Sequence, residues 1–380
     1  MQFRTRAIHF GQERDPATGA VVPPIHVAST FVQPDVSMTA AYDYARTGSP
    51  TRNAFERTLA ALDGGARGLA FSSGMAATRC ATDLLGPGDQ IVTGTDIYGG
   101  TWRLFNKLLV PRGIAVTAVD TSRPDAVRAA MTPATKLVWI ESPGNPLLSI
   151  TDIAACADIA HTAGAVLACD NTLATPALSQ PLELGADIVM HSATKYIGGH
   201  SDLLGGALVV RDAALGERLH WLQNATGAVM GPFESFLCAR GLKTLELRVL
   251  AQSATTLALA EWLAAHTRVK RVFYPGLPAH PGHAIAARQM TGGFGAVMSF
   301  EIAGDLAAAR RVVESTRLFQ LAVSLGAVES LIELPAAMSH GSYDPAARRA
   351  VGIADGLIRL SVGLEACADL RADLASALDA

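Results

Sequence analysis

The sequence predicts an α/β protein: a large domain on a mostly parallel sheet between helices, then a smaller α+β C-terminal domain. Three observations carry this reading. Between 51 and 240, short strand-like runs alternate with longer helix-like runs, the pattern of a parallel sheet with crossover helices. Near 240 the pattern gives way to one long helical stretch and a Pro/Gly-rich segment. Finally, 49% of the 380 residues are hydrophobic and only 17% charged, against roughly 25% charged in ordinary soluble domains. A membrane protein and a subunit buried against its own kind both fit that balance. No run approaches the ~18 consecutive apolar residues of a spanning helix, so the second reading stands.

In chain order, residues 1–50 lack helical periodicity and carry Pro23, Pro24, Pro34 and Pro50. Ile25, Phe31, Tyr42 and Tyr44 give this arm enough apolar surface to pack on something. Thr51 is the expected N-cap of a helix in which Phe55, Leu59 and Leu62 recur at helical spacing and Gly64 is the stop. Strands are expected at 67–72, 90–94, 114–119, 136–141, 165–170, 186–192 and 206–211. Helices are expected at 75–85, 101–109, 124–131 and 152–164. Beyond 240 a helix is expected over 241–266, a strand at 295–302 and a helix at 305–317. The expected division is an arm at 1–50, an α/β domain at 51–240 and an α+β domain at 241–380. Trp102, Trp221 and Trp262 occupy apolar helical positions and are expected to pack.

Lys plus Arg number 31 and Asp plus Glu 34, a net charge of −3. That offers no electrostatic footprint for nucleic acid or an anionic membrane. The N-terminal residues lack the apolar core of a secretory signal. Five scattered cysteines without a C-x-x-C pair read as reduced thiols of a cytoplasmic protein, not a disulfide framework or a metal cluster. His280 and His283 sit among Pro and Gly without two further ligands and read as loop residues, so no metal is expected.

Open α/β sheets bind ligands beyond the C-terminal ends of their strands. After 67–72 come Ser73, Gly74 and Met75, opening a helix. Helix N-terminal N–H groups suit a phosphate, although many turns carry Ser-Gly for geometry alone. The strand at 165–170 ends in Asp170, which either caps a turn or, buried, needs a cationic partner such as a pyridinium nitrogen. After 186–192 the run SATKYIGGHSD is more specific. Lys195 stands between strand end and glycines, beside the hydroxyls of Ser192 and Thr194. A desolvated lysine acts as an amine nucleophile on a carbonyl and as a proton shuttle. Phosphate donors, an acid and a lysine together describe a pyridoxal phosphate site. No dinucleotide or P-loop fingerprint is present.

The run DIVMHSATKYIGGHS, 187–201, resembles the lysine signature of the cysteine/methionine-metabolism (transsulfuration) family of pyridoxal-phosphate enzymes. The resemblance extends in order through YDYARTGSPTR (42–52), SSGMAA (72–77), DIYGGTWRLF (96–105), ESPGNP (141–146), DNT (170–172), RGLKTLELR (240–248), SLGAVESLIELPA (324–336) and LIRLSVG (357–363). It implies a fold-type I, PLP-dependent transferase-like architecture and a homotetramer of two active dimers. It implies that Lys195 holds the cofactor covalently and later moves protons, that Asp170 keeps the ring nitrogen protonated and that Tyr98 stacks on the ring. Gly74, Met75, Ser192 and Thr194 would bind the phosphate, with Tyr44 and Arg46 reaching it from the neighbouring subunit. Arg359 would pair with the substrate α-carboxylate, and Asn145 would sit near the phenolic oxygen and that carboxylate. Asp43, Arg103 and Glu333 would line the distal pocket.

The resemblance implies γ-elimination or γ-replacement on a sulfur amino acid or activated homoserine. Glu333, read as a partner for the distal ammonium of cystathionine, places cystathionine γ-lyase activity first and γ-synthase activity second. Methionine γ-lyase, β-lyase and a specialised γ-replacement enzyme follow. Gly100, where methionine γ-lyases carry cysteine, disfavours the methionine reading. The chain departs from the family pattern at His26, Ser49, Leu173 and Val323, the last near the expected pocket. An inactive homologue serving as an assembly partner would have no need of Lys195, Asp170 and Arg359 together.

Overall fold

The computed structural model describes residues 1–339, 341 and 345–379. Its larger sheet holds β1 (Arg67–Phe71), β2 (Gln90–Gly94), β3 (Ala115–Val119), β4 (Thr135–Glu141), β5 (Val166–Asp170), β6 (Ile188–His191) and β7 (Gly206–Val210). Their spatial order is β1-β7-β6-β5-β4-β2-β3. Only β7 runs antiparallel to its neighbours, β1 and β6; the remaining pairs are parallel. Every residue of β2, β6 and β7 is buried, as expected of strands covered by helices on both faces. The edge strand β3 is partly exposed.

The smaller sheet contains β8 (Val269–Phe273), β9 (Val297–Ile302), β10 (Gln320–Leu321), β11 (Leu331–Glu333) and β12 (Leu357–Ser361), ordered β10-β11-β12-β9-β8. It is antiparallel apart from the β10–β11 pair. The helix Leu245–Ala264 joins the two halves. Its Leu245 and Val249 enter the core beside the large sheet, and its Leu259, Ala260 and Leu263 enter that of the small one. The expected α/β architecture and the change of pattern near 240 are therefore present. The helix Pro232–Leu242 runs through 240, and the expected stretch over 241–266 is interrupted at Lys243 and Thr244.

Several local expectations are corrected. The first long helix begins at Pro50, with Ser49 at the N-cap position. Proline suits the first helical turn because its missing N–H needs no partner there. Thr51 instead accepts the backbone N–H of His26 at 2.8 Å, tying the arm to the domain. The expected Gly64 stop holds, in the left-handed conformation. The helix expected at 101–109 opens at Gly99 and widens into a π-helical segment, Leu104–Leu109. Trp221 is 68% exposed, not packed.

The arm holds one helix, Phe3–His9, and then runs without regular structure to Ser49. Val32 and Val36 are 95% and 100% exposed in the single chain. All five cysteines are free thiols. Among the described residues no helix is long and apolar enough to cross a membrane.

Candidate active site

The C-terminal ends of β1, β2, β4, β5 and β6 open on a cavity of about 510 Å³, closed on its far side by residues of the small sheet. A cavity of this size accommodates a cofactor with a small substrate. It gathers Gly74, Met75, Tyr98, Arg103, Asn145, Asp170, Ser192, Thr194, Lys195, Glu333 and Arg359. Eleven residues scattered over most of the chain thus meet because parallel strands end on one edge.

At one end lies the N-terminus of the helix Gly74–Thr82. Ser73 caps it, its Oγ accepting from Ala76 at 3.1 Å, and Ala77 donates to the Ser73 carbonyl. The N–H groups of Gly74 and Met75 stand ahead of these bonds and need an external acceptor. A Cβ at position 74 would lie 3.0 Å from Met190 Cε and 3.2 Å from Ser192 Oγ, a tight fit that glycine relieves. Thr194 Oγ1 donates to the Gly205 carbonyl and accepts its N–H, bracing the loop.

Asp170 forms the floor. Its Oδ1 accepts from the N–H of Thr172 at 3.0 Å. Burial nevertheless raises its pKa above the usual carboxylate range. A buried carboxyl of this kind gains a partner from a ring N–H⁺. Opposite it in register stands Glu141 on β4, pushed up further by burial and by the charge of Asp170.

Lys195 Nζ donates to Ser324 Oγ at 2.6 Å. Burial first, then the charge of Arg359, lowers its pKa to about 8. Ser324 has φ 87°, a left-handed conformation that costs a non-glycine residue about 1–3 kcal/mol. That conformation lets Ser324 serve two cations, because its carbonyl accepts from Arg359 Nη2 at 2.5 Å. Sequence reasoning did not single out Ser324, although it lies inside the SLGA run.

Arg359 on β12 faces Glu333 on β11 in register. Nη1 lies 3.0 Å from Glu333 Oε1 and 3.1 Å from Asn145 Oδ1. A guanidinium has five N–H groups. Nε–H has no partner among the described residues and Nη2 carries a second proton, so the guanidinium retains donors of the kind that bind a carboxylate. Glu333 lines the cavity, but its Oε1 serves Arg359 and the Ser339 hydroxyl, the latter at 2.7 Å. Oε1 is thus paired inside the protein before any substrate arrives, while the buried Oε2 has no hydrogen-bond partner among the described residues.

Tyr98 stands at the mouth, 50% exposed. Its ring lies over Gly100, where an added Cβ would come within 2.4 Å of Tyr98 Cε1. Any side chain at 100, cysteine included, would displace the ring.

Three residues named from the sequence lie outside this cavity. Asp43 lines a separate one with Tyr42, Arg57, Arg67 and His220. Tyr44 and Arg46 lie on the surface, the guanidinium 5.2 Å from the centre of the Tyr44 ring, with Arg46 Nε donating to Asn224 Oδ1 at 3.1 Å. None of the three reaches the chain's own cavity.

Comparison with known proteins places this geometry. The model of the Cys/Met metabolism PLP-dependent enzyme family matches residues 4–379. The chain is 54% identical over 376 residues to a cystathionine gamma-synthase of Mycobacterium bovis, covering 98% of this chain and 96% of that one. It is 51% identical over 376 residues to a cystathionine beta-lyase of Coxiella burnetii, covering 98% and 97%. The crystal structure of cystathionine gamma-lyase from Lactobacillus plantarum complexed with L-serine superposes with a TM-score of 0.97 at 47% identity, covering 100% of this chain and 99% of that one. With a lysine, a floor carboxylate and a phosphate-ready helix end converging in one cavity, this chain belongs to the Cys/Met metabolism family of PLP-dependent enzymes, a transsulfuration enzyme with pyridoxal phosphate as its cofactor.

Proposed function

We propose that the enzyme performs γ-replacement, joining an acylated homoserine to cysteine to give cystathionine. One observation supports this above the others. Of the cavity's charged residues, Arg103 is a cation whose charge suits a distal carboxylate, while Glu333, the expected reader of a distal ammonium, already pairs through Oε1 with Arg359. A succinyl arm presents a carboxylate and no ammonium.

Pyridoxal phosphate, when bound, supplies the conjugated ring that takes up the electron pair released at Cα. The chain's own residues do the rest. The N–H groups of Gly74 and Met75, with Ser192 and Thr194, hold the phosphate. Asp170 keeps the proton on the ring nitrogen, and Tyr98 covers the ring. Asn145, which lines the cavity and accepts from Arg359, would stand near the phenolic oxygen. Arg359 takes the substrate α-carboxylate on its remaining donors. Lys195, with a pKa lowered to about 8, gives up and takes back a proton near neutral pH. It removes the Cα proton and serves proton transfers further along the substrate. Ser324 Oγ holds Nζ between these positions.

Tyr44 and Arg46 of the partner subunit complete the phosphate site, in a cytoplasmic homotetramer whose interfaces cover the open valines of the arm. The division into an arm at 1–50 and domains at 51–240 and 241–380 belongs to the same proposal.

The second reading is cystathionine γ-lyase activity, which the sequence placed first. It gains support if Asp43 of the partner subunit supplies the carboxylate that Glu333 does not. One product assay separates these. Cystathionine formed from O-succinylhomoserine and cysteine supports γ-replacement. Faster release of 2-oxobutyrate from L-cystathionine supports γ-elimination, and pyruvate from it marks a β-lyase.

A further inference from the structure

The side chain of Tyr98 has little to hold it. It is half open to solvent, and what lies beneath its ring is Gly100, which has no side chain of its own. Its backbone is held differently. The Tyr98 N–H points at the carboxyl group of Glu141, 3.0 Å from Oε1 and 2.9 Å from Oε2. Glu141 is the last residue of β4, 7% exposed, and lines the cavity beside Asp170. A buried carboxyl costs free energy unless it bonds. The bond this one makes goes to the residue that opens the Gly99–Arg103 helix.

We propose that Glu141 is a positioning residue for the cofactor: it fixes the backbone of Tyr98 and so sets the plane of the ring at the mouth of the cavity. This rests on the reading of Tyr98 as the stacking residue. The strand register supplies the lever. Glu141 and Asp170 are paired neighbours on β4 and β5, so the residue that aims Tyr98 and the residue that meets the ring nitrogen share one rigid sheet edge. Burial and the Asp170 charge push the Glu141 carboxyl well above the usual range. The contact needs only an acceptor oxygen at this place, and a carboxamide of the same shape supplies one.

The test is the dissociation constant of pyridoxal phosphate, from absorbance titration of apoprotein, for wild type, E141Q, E141A, Y98A and E141A/Y98A. Visible circular dichroism of the bound cofactor reports ring orientation independently of turnover. E141Q is expected within about twofold of wild type, with an unchanged dichroic band. E141A is expected to weaken binding roughly five- to tenfold, the order of one lost hydrogen bond, and to alter the band. The double variant is expected to match Y98A within about twofold, because the two act through one contact. Losses that multiply in the double variant overturn the inference, as does E141Q falling as far as E141A. An unchanged constant in Y98A alone overturns the stacking reading instead, which keeps the two failures apart. Glu141→Leu retains the volume without the acceptor and carries the same comparison should E141A not fold.

Discussion

Glu333→Gln tests how the cavity balances its charges. The substitution removes the carboxylate facing Arg359 and leaves an oxygen for Nη1 and the Ser339 hydroxyl. Arg359 keeps its bonds to Asn145 and Ser324 but loses its ion-pair partner, and both members of that pair are buried. Removing one partner of a buried pair costs about 3–5 kcal/mol. The retained amide bond returns about 1 kcal/mol, so apoprotein stability is expected to fall by about 2–4 kcal/mol in urea unfolding. Glu333 also favours the charged form of Lys195, so the Lys195 pKa is expected to drop below about 8. Substrate affinity feels two opposed effects: a less firmly aimed guanidinium, and relief from a competing anion. Either way the change acts on the α-carboxylate common to all substrates. Steady-state KM values for L-cystathionine and O-succinylhomoserine should therefore shift together. A loss confined to cystathionine would refute the argument and restore Glu333 as the reader of a distal ammonium.

Further expectations concern Lys195 and the arm. The neutral amine captures the cofactor aldehyde, so the rate of reconstituting apoprotein should rise with pH and level off above about 8, the lowered Lys195 pKa; a rate still climbing steadily to pH 10 would contradict this. The folded pKa lies below the ordinary lysine value of 10.5. The unfolded chain thus binds the proton first as pH falls, and the contribution of Lys195 to apoprotein stability declines from about 10.5 to about 8. Arg46→Ala should weaken cofactor retention, and mixing it with Lys195→Ala subunits should restore activity, because one site of each hybrid pair is intact. Hybrids no more active than their parents would place Arg46 outside the site of the partner subunit.

Local chemistry was legible wherever one stretch of chain carries the whole signal. Lys195, Asp170 and Gly74 follow directly on strands whose apolar runs are visible in the sequence, and strand ends are where open sheets place their ligands. Asp152 and Asp305, with side chains accepting from Ala155 and Ala308, start their helices close to where the pattern put them. Thr51 failed as a cap because Pro50 competes for the helix start and His26, distant in sequence, takes its hydroxyl. In the sequence, Gly100 reads only as a missing cysteine. Its positive meaning, room for the Tyr98 ring, is a distance between side chain and backbone that no string of letters records.

The sequence by itself determined the succession of strands and helices, the lysine signature and the family, because these depend on short-range periodicity and on contiguous motifs. Tertiary structure decided what each charge is for. Glu333 meets Arg359 through strand pairing between β11 and β12, Glu141 meets Tyr98 across the gap between β4 and the turn after β2, and Ser324 joins Lys195 to Arg359 through one left-handed residue. Each contact spans many residues of chain and depends on angstrom-scale register. Burial then multiplies its electrostatic weight, and that weight is absent from the unfolded string.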